Sequence, residues 1–192
     1  MNGKLLLTGL VGLSMVKSSP ELFSSLVIMN TGIPDGLELE PGNLTRTVQK
    51  LLPFVLWRSS VSLLATHLPV RALFRRVCHF SDHVANAYDA PFPNSSYKAG
   101  AAKWPLLVPL YRDDPVARHM TEAKNCLSTW KKPALIMFGD KDPITKGQDK
   151  FFVNLIPHSK HVIIKGASHF LQETHGEELS ENIIKFLQTS LN

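Results

Sequence analysis

The sequence has 192 residues, 44% of them hydrophobic, and a formal charge of +5, which places it with globular chains large enough for one ordinary core and excludes disordered and membrane classes. Its Lys and Arg residues are scattered, and the tightest group, Arg71 to Arg76, is broken by apolar residues, so no basic stripe for nucleic acid is present. Cys78 and Cys126 form no CxxC pair and read as buried free thiols or at most one disulfide.

The chain opens on "MNGKLLLTGLVGLSMVKSSP", with no charge from Leu5 to Val16. This is the outline of a signal peptide, and equally of a buried strand running through a glycine turn into a helix. The run is too short to span a bilayer. Pro20 then breaks the helix, and "SSLVIMN" is a short apolar, β-branched run typical of a buried parallel strand. A signal peptide would be cleaved near the small residues after Met15, which would remove a helix continuous with that strand. The strand–turn–helix reading is therefore favoured. Sequons at Asn43 and Asn94 add little, since such tripeptides arise often by chance.

From about Pro41 to Asp114 the pattern turns helical. "LTRTVQKLLPFVLW" and "PVRALFRRVCHF" place apolar residues three and four apart. "DAPFPNSSYKAG" reads as a loop. From Lys132 the α/β alternation returns: "PALIMFGDKDP" is a buried strand ending in an acidic turn. A helix over about Gly147 to Ile156, a strand in "HVIIKGASHF" and an amphipathic helix in "GEELSENIIKFLQTSL" follow. Strand, helix, strand, helix points to a parallel sheet with crossover helices. In such sheets the chemistry sits at the carboxyl ends of strands, here after Met29, after Phe138 and after Lys165.

Two of those loops hold titratable side chains. "FGDKDP" places Asp140 and Asp142 just past one strand, and "GASHF" places His169 just past the next. A carboxylate bonded to an imidazole fixes its tautomer and stabilises its charged form, making the histidine a competent general base. One strand–helix–strand unit separates the two loops, so both emerge on the same sheet edge. Taken singly, the aspartates also read as helix caps and His169 as a turn filler. Together they favour chemistry.

These motifs resemble the C-terminal half of the α/β-hydrolase fold, and within it the haloalkane dehalogenase family. The resemblance rests on "GLVGLSMVKSSPELFSSLVIMNTG", "FVLW", "YDAPFPNSSYKAG" with the "WP" beyond it, G-x-x-D-P at Gly139 to Pro143, and "GASHFLQE" at the histidine. It runs from about Thr8 to the C-terminus. It implies an α/β fold: a parallel sheet with crossover helices and a mostly helical inserted cap. The expected parts are 1–40 (partial core with the nucleophile helix), 41–128 (cap) and 129–192 (core with the acid and histidine loops). It implies His169 as the base that activates water and Asp142 as the acid that orients it, while Asn30, at the alternative acid position, is no carboxylate. It implies that Trp57 grips a departing halide through its indole N–H, and that Phe54 lines the same apolar pocket.

The family attacks carbon with an aspartate at a D-W-G-G turn, and aligning Gly9 puts Leu6 at that position and Leu7 at a second halide-binding tryptophan. Leucine has no lone pair to attack carbon and no N–H for a halide. About three of the usual eight strands are legible, so a truncated chain is expected, with one sheet face and one edge open and an insoluble or molten state when expressed alone. Three function readings follow. The first is a dehalogenase-like hydrolase of small organic halides, inactive as this chain alone. The second is an epoxide hydrolase-like relative, for which the lid tyrosines would be Tyr88, Tyr97 or Tyr111. The third is a non-catalytic fragment or pseudoenzyme. No G-x-S-x-G, nucleotide, flavin or metal motif occurs, so no cofactor is expected. The expected partner is a small hydrophobic substrate, with neither nucleic acid nor a stable membrane span. The expected location is the cytoplasm, or outside the cell if the N-terminus acts as a signal peptide.

Overall fold

The computed structural model describes residues 4–36, 44–64 and 66–190. The Asn43 sequon lies outside these. In chain order the elements are β1 (Lys4–Thr8), α1 (Leu10–Ser18), β2 (Phe23–Met29), α2 (Leu44–Leu64), α3 (Val70–Val77), α4 (Asp82–Asp89), α5 (Ala99–Lys103), α6 (Pro115–Ser128), β3 (Ala134–Gly139), α7 (Gln148–Leu155), β4 (Lys160–Ile164), α8 (Leu171–Thr174) and α9 (Gly176–Ser190). They form two compact units, Met1–Asp35 with Ala117–Asn192, and Gly36–Val116.

The first unit is built on a four-stranded parallel sheet in the order β1-β2-β3-β4. The opening apolar run is β1, which continues into α1 through Gly9, and the sheet has four strands where about three were expected. Side chains alternate across a strand, and this alternation divides the core. Leu26 and Ile28 of β2 pack with Ala134, Ile136 and Phe138 of β3 and with α1, α6 and α7 through Leu13, Val16, Met120, Leu127 and Phe152. Val27, Leu135 and Met137 point the other way, onto Leu171 of α8 and Leu179 and Phe186 of α9. Burial on both faces is why β2 and β3 read as continuous apolar runs rather than alternating ones. It also corrects the expectation of one open face, since helices cover both. Among the described residues two strand edges lack a strand partner, that of β1 away from β2 and that of β4 away from β3.

Local chemistry fixes the joins. Pro20 opens the 3-10 turn Pro20–Leu22 between α1 and β2. Lys132 donates to the carbonyls of Pro20 (2.8 Å) and Phe23 (2.6 Å), pinning the entry of β3 beside that of β2. Lys124 of α6 pairs with Asp35 at 2.8 Å. Ala117, Met120, Ala123 and Leu127 form the buried stripe of α6, and Met120 and Leu127 belong to the sheet core, in the first unit.

The second unit is helical, as its three- and four-residue spacing implied. Phe74 of α3 stacks on Tyr88 of α4 at 4.5 Å and on Phe80 at 5.7 Å, an aromatic cluster that joins the two short helices. Arg58 of α2 donates Nε to the Pro105 carbonyl (3.1 Å) and Nη2 to that of Leu106 (2.7 Å). The "DAPFPNSSYKAG" loop is partly ordered: Asn94 Oδ1 accepts from the Ser96 N–H at 3.1 Å and opens the 3-10 turn Ser95–Lys98 before α5. Both cysteines are free and half-buried, and burial pushes each thiol up from its ordinary value. Among the described residues no helix is long and apolar enough to cross a membrane.

Candidate functional site

Three strands of the first unit end side by side, and their following loops meet. β2 ends at Met29, β3 at Gly139 and β4 at Ile164. Gly139 is where β3 and the turn after β4 touch: a Cβ there would stand 2.3 Å from the Ala167 carbonyl oxygen, so only glycine fits. Lys141 N–H donates to that same carbonyl at 3.0 Å. Gly166, at φ +80, adopts the left-handed backbone open to glycine and lets the chain reverse out of β4 toward the histidine.

In this frame His169 Nδ1 lies 3.0 Å from Asp142 Oδ2. Asp142 is buried, whereas the His169 side chain keeps 29% of its surface exposed. The carboxylate is well supplied with donors. Its Oδ1 accepts from the Ile144 N–H at 2.8 Å, and Oδ2 also accepts from the Thr145 hydroxyl. Burial alone would push Asp142 up, but the bonds from His169, Thr145 and the Ile144 N–H outweigh it and hold the carboxyl below the ordinary aspartate value. An ionised carboxylate can only accept, so the proton on the shared bond belongs to His169 Nδ1 and the lone pair of the neutral ring to Nε2. A part-exposed imidazole so held can take a proton from a water or an acidic hydroxyl.

The expected pair thus comes together across two loops. The alternative cap reading of the aspartates does not hold, because α7 begins after Gly147 with no side-chain cap. Asp140 instead accepts from the Gly166 N–H at 2.7 Å, tying the β3 end to the turn after β4. Sequence reasoning missed Thr145, although its position three residues after Asp142 is a spacing at which a hydroxyl turns back onto a carboxylate. It also missed the contacts of Asn30, which sits at φ +31 just past β2. Asn30 Nδ2 donates to the carbonyls of Ser168 and His169, both at 2.9 Å, while its Oδ1 accepts from the Gly139 N–H at 3.0 Å.

Leu6 lies inside β1, paired in register with Leu26 and two residues before the strand ends at Thr8. The turn itself is at Gly9, whose backbone is extended (φ −114), and a Cβ there would meet only Thr31 Oγ1, at 3.9 Å. In the second unit, Phe54 and Trp57 lie one turn apart on α2 with ring centroids 5.8 Å apart, and Trp57 is half-exposed. Of the tyrosines, Tyr88 belongs to the stack with Phe74 and Phe80, and Tyr97 and Tyr111 are exposed.

No family model matches the chain. Among curated proteins, the haloalkane dehalogenase of Psychrobacter cryohalolentis is 35% identical over 182 residues, which covers 93% of this chain and 57% of that protein. Haloalkane dehalogenase 1 of Mycobacterium tuberculosis is 34% identical over 189 residues, covering 94% of this chain and 58% of its own. The chain therefore spans somewhat more than half the length of these relatives. Among solved structures, a haloalkane dehalogenase from Paraglaciecola agarilytica NO2 matches with a TM-score of 0.76 at 26% identity, over 93% of this chain and 58% of that one. A loop variant of a haloalkane dehalogenase from Bradyrhizobium elkanii matches with a TM-score of 0.74 at 19% identity, over 97% and 67%, a likeness of fold.

Proposed function

For a chain that belongs, by sequence and fold, with the haloalkane dehalogenase-like α/β-hydrolases, we propose that the first unit carries the hydrolytic half of a carbon–halogen cleavage site and lacks the group that begins the reaction. The observation that carries the reading is the 3.0 Å contact of His169 Nδ1 with a buried, ionised Asp142 at the carboxyl end of a parallel sheet. In this reading His169 Nε2 removes a proton from water as that water attacks an ester carbonyl, and Asp142 stabilises the imidazolium that forms. The substrate in this reading is a small, apolar organic halide, for which the second unit supplies Trp57, whose indole N–H suits a departing halide, and the apolar Phe54 one helical turn away. Leu6, at the position where the family resemblance puts the nucleophile, has no lone pair with which to displace halide. The ester on which His169 would act is then not formed, and this chain alone does not turn over.

The experiment is to incubate the chain with 1-bromobutane and measure both free bromide and protein mass. The unaltered chain is expected to release no bromide and gain no mass. Leu6→Asp supplies a carboxylate whose oxygen displaces bromide, so that variant is expected to gain one butyl group, and His169→Gln in the same chain is expected to make the adduct persist. Bromide release by the unaltered chain would overturn the assignment of Leu6. A folded Leu6→Asp chain that never alkylates would overturn the site itself.

A further inference from the structure

The three polar contacts of Asn30 are unusual in what they join. Its Oδ1 accepts from the N–H of Gly139, the last residue of β3 and the start of the loop that bears Asp142. Its Nδ2 donates both protons, one to the Ser168 carbonyl and one to that of His169 itself, each at 2.9 Å. The orientation of the carboxamide is fixed by its neighbours, since an N–H on one side demands the oxygen and two carbonyls on the other demand the nitrogen. One side chain from β2 therefore spans both loops that supply the pair.

We propose that Asn30 is the positioning residue of the His169–Asp142 pair, its carboxamide setting the separation of the two loops so that Nδ1 meets the carboxylate. Asparagine is the residue that meets all the demands of this position. Its φ of +31 lies in the left-handed region, where asparagine and aspartate are better tolerated than other side chains bearing a Cβ. Aspartate has the shape but no donor, and at neutral pH its charge would face two carbonyl oxygens. Glycine allows the backbone but joins nothing. Glutamine would carry its amide one methylene too far. The role is indirect: Asn30 touches the His169 main chain rather than the imidazole. The inference rests on His169 being the base, yet its test reads ring geometry and not turnover, so its failure can be told from failure of the functional reading.

The test is NMR on the whole chain with ¹⁵N-labelled asparagine and histidine. In the unaltered chain the Asn30 side-chain NH2 protons are expected to exchange with solvent at least about tenfold more slowly than those of an exposed asparagine. Exchange at the exposed rate overturns the proposal without any variant being needed. Asn30→Gly and Asn30→Asp are each expected to shift neutral His169 from the Nδ1–H tautomer to a mixture, with the larger change for Asn30→Asp. Leu127→Ala, in the core cluster on the other face of the sheet, which contains no residue of either loop, is expected to lower the melting temperature and leave the tautomer unchanged. A folded Asn30→Gly chain that keeps the Nδ1–H tautomer in full would overturn the proposal, as would Leu127→Ala disturbing it equally.

Discussion

Gly139 and Ala167 approach so closely that a Cβ on the glycine would stand 2.3 Å from the Ala167 carbonyl oxygen and 2.8 Å from its carbon. Both contacts are to backbone, which cannot swing aside. Gly139→Ala must therefore push the β4 turn, and His169 with it, away from the end of β3. The expected cost is about 1–3 kcal/mol, the usual range for overpacking, measured by denaturant unfolding. Gly9→Ala is the contrast, since only Thr31 Oγ1 at 3.9 Å lies nearby. Its cost is expected to stay at about 1 kcal/mol or less, the range for a helix N-cap lacking a side-chain bond.

Asp142 makes stability depend on pH with a definite sign. Its carboxyl is held below the ordinary value in the fold, so the folded state favours the ionised form. That stabilisation is fully present above the ordinary aspartate value of about 3.9. It fades as pH falls below that value and is gone once pH has passed the depressed folded value. Melting temperature measured between pH 6 and pH 2 is expected to fall more steeply for the unaltered chain than for Asp142→Asn. Parallel curves would show that Asp142 does not stabilise the fold through its charge.

Thr145→Val keeps the volume of a buried side chain and removes its hydroxyl from Asp142 Oδ2. The carboxylate loses one of its three kinds of donor, so its pKa is expected to rise toward the ordinary value, with a stability loss of about 1–3 kcal/mol at neutral pH. Titration of the labelled carboxyl carbon reads the first effect and denaturant unfolding the second.

How far the site was legible in the sequence follows from which signals are local. Asp142 and His169 stand just past apolar runs, and a single strand–helix–strand interval puts both on one edge; this much the spacing alone conveys. The cover on both faces of the sheet was not legible, since one open face was expected, but the burial of β2 and β3 was legible in their unbroken apolar runs. The partner of α6 was not, because its Ala117, Met120, Ala123 and Leu127 stripe announces one buried face without saying what covers it. Asp140 and Asn30 were opaque for the same reason. Asp140 meets Gly166, 26 residues on, and Asn30 meets Gly139 and His169, 109 and 139 residues on. Such bonds exist only once the sheet has brought three loop ends together.

In the second unit, the Arg58 fork onto the carbonyls of Pro105 and Leu106 is a geometry lysine cannot reproduce, since its ammonium is a single point of charge. Arg58→Lys is expected to loosen the Trp104–Leu107 turn, at a cost of roughly 1 kcal/mol. Hydrogen exchange of the Val108 amide, which donates to the Pro105 carbonyl at 3.3 Å, is expected to speed up. Unchanged exchange would mean that α2 is not what holds the turn.

The central claim is that Asp142 holds His169 by Nδ1 and leaves Nε2 free to act as a base. The ¹⁵N chemical shifts of the His169 ring, followed in the unaltered chain from pH 5 to pH 9, test it most directly. The account predicts a neutral ring protonated on Nδ1 with Nε2 bare, and loss of that preference in Asp142→Asn. A neutral ring protonated on Nε2, or one indifferent to Asp142→Asn, would contradict it.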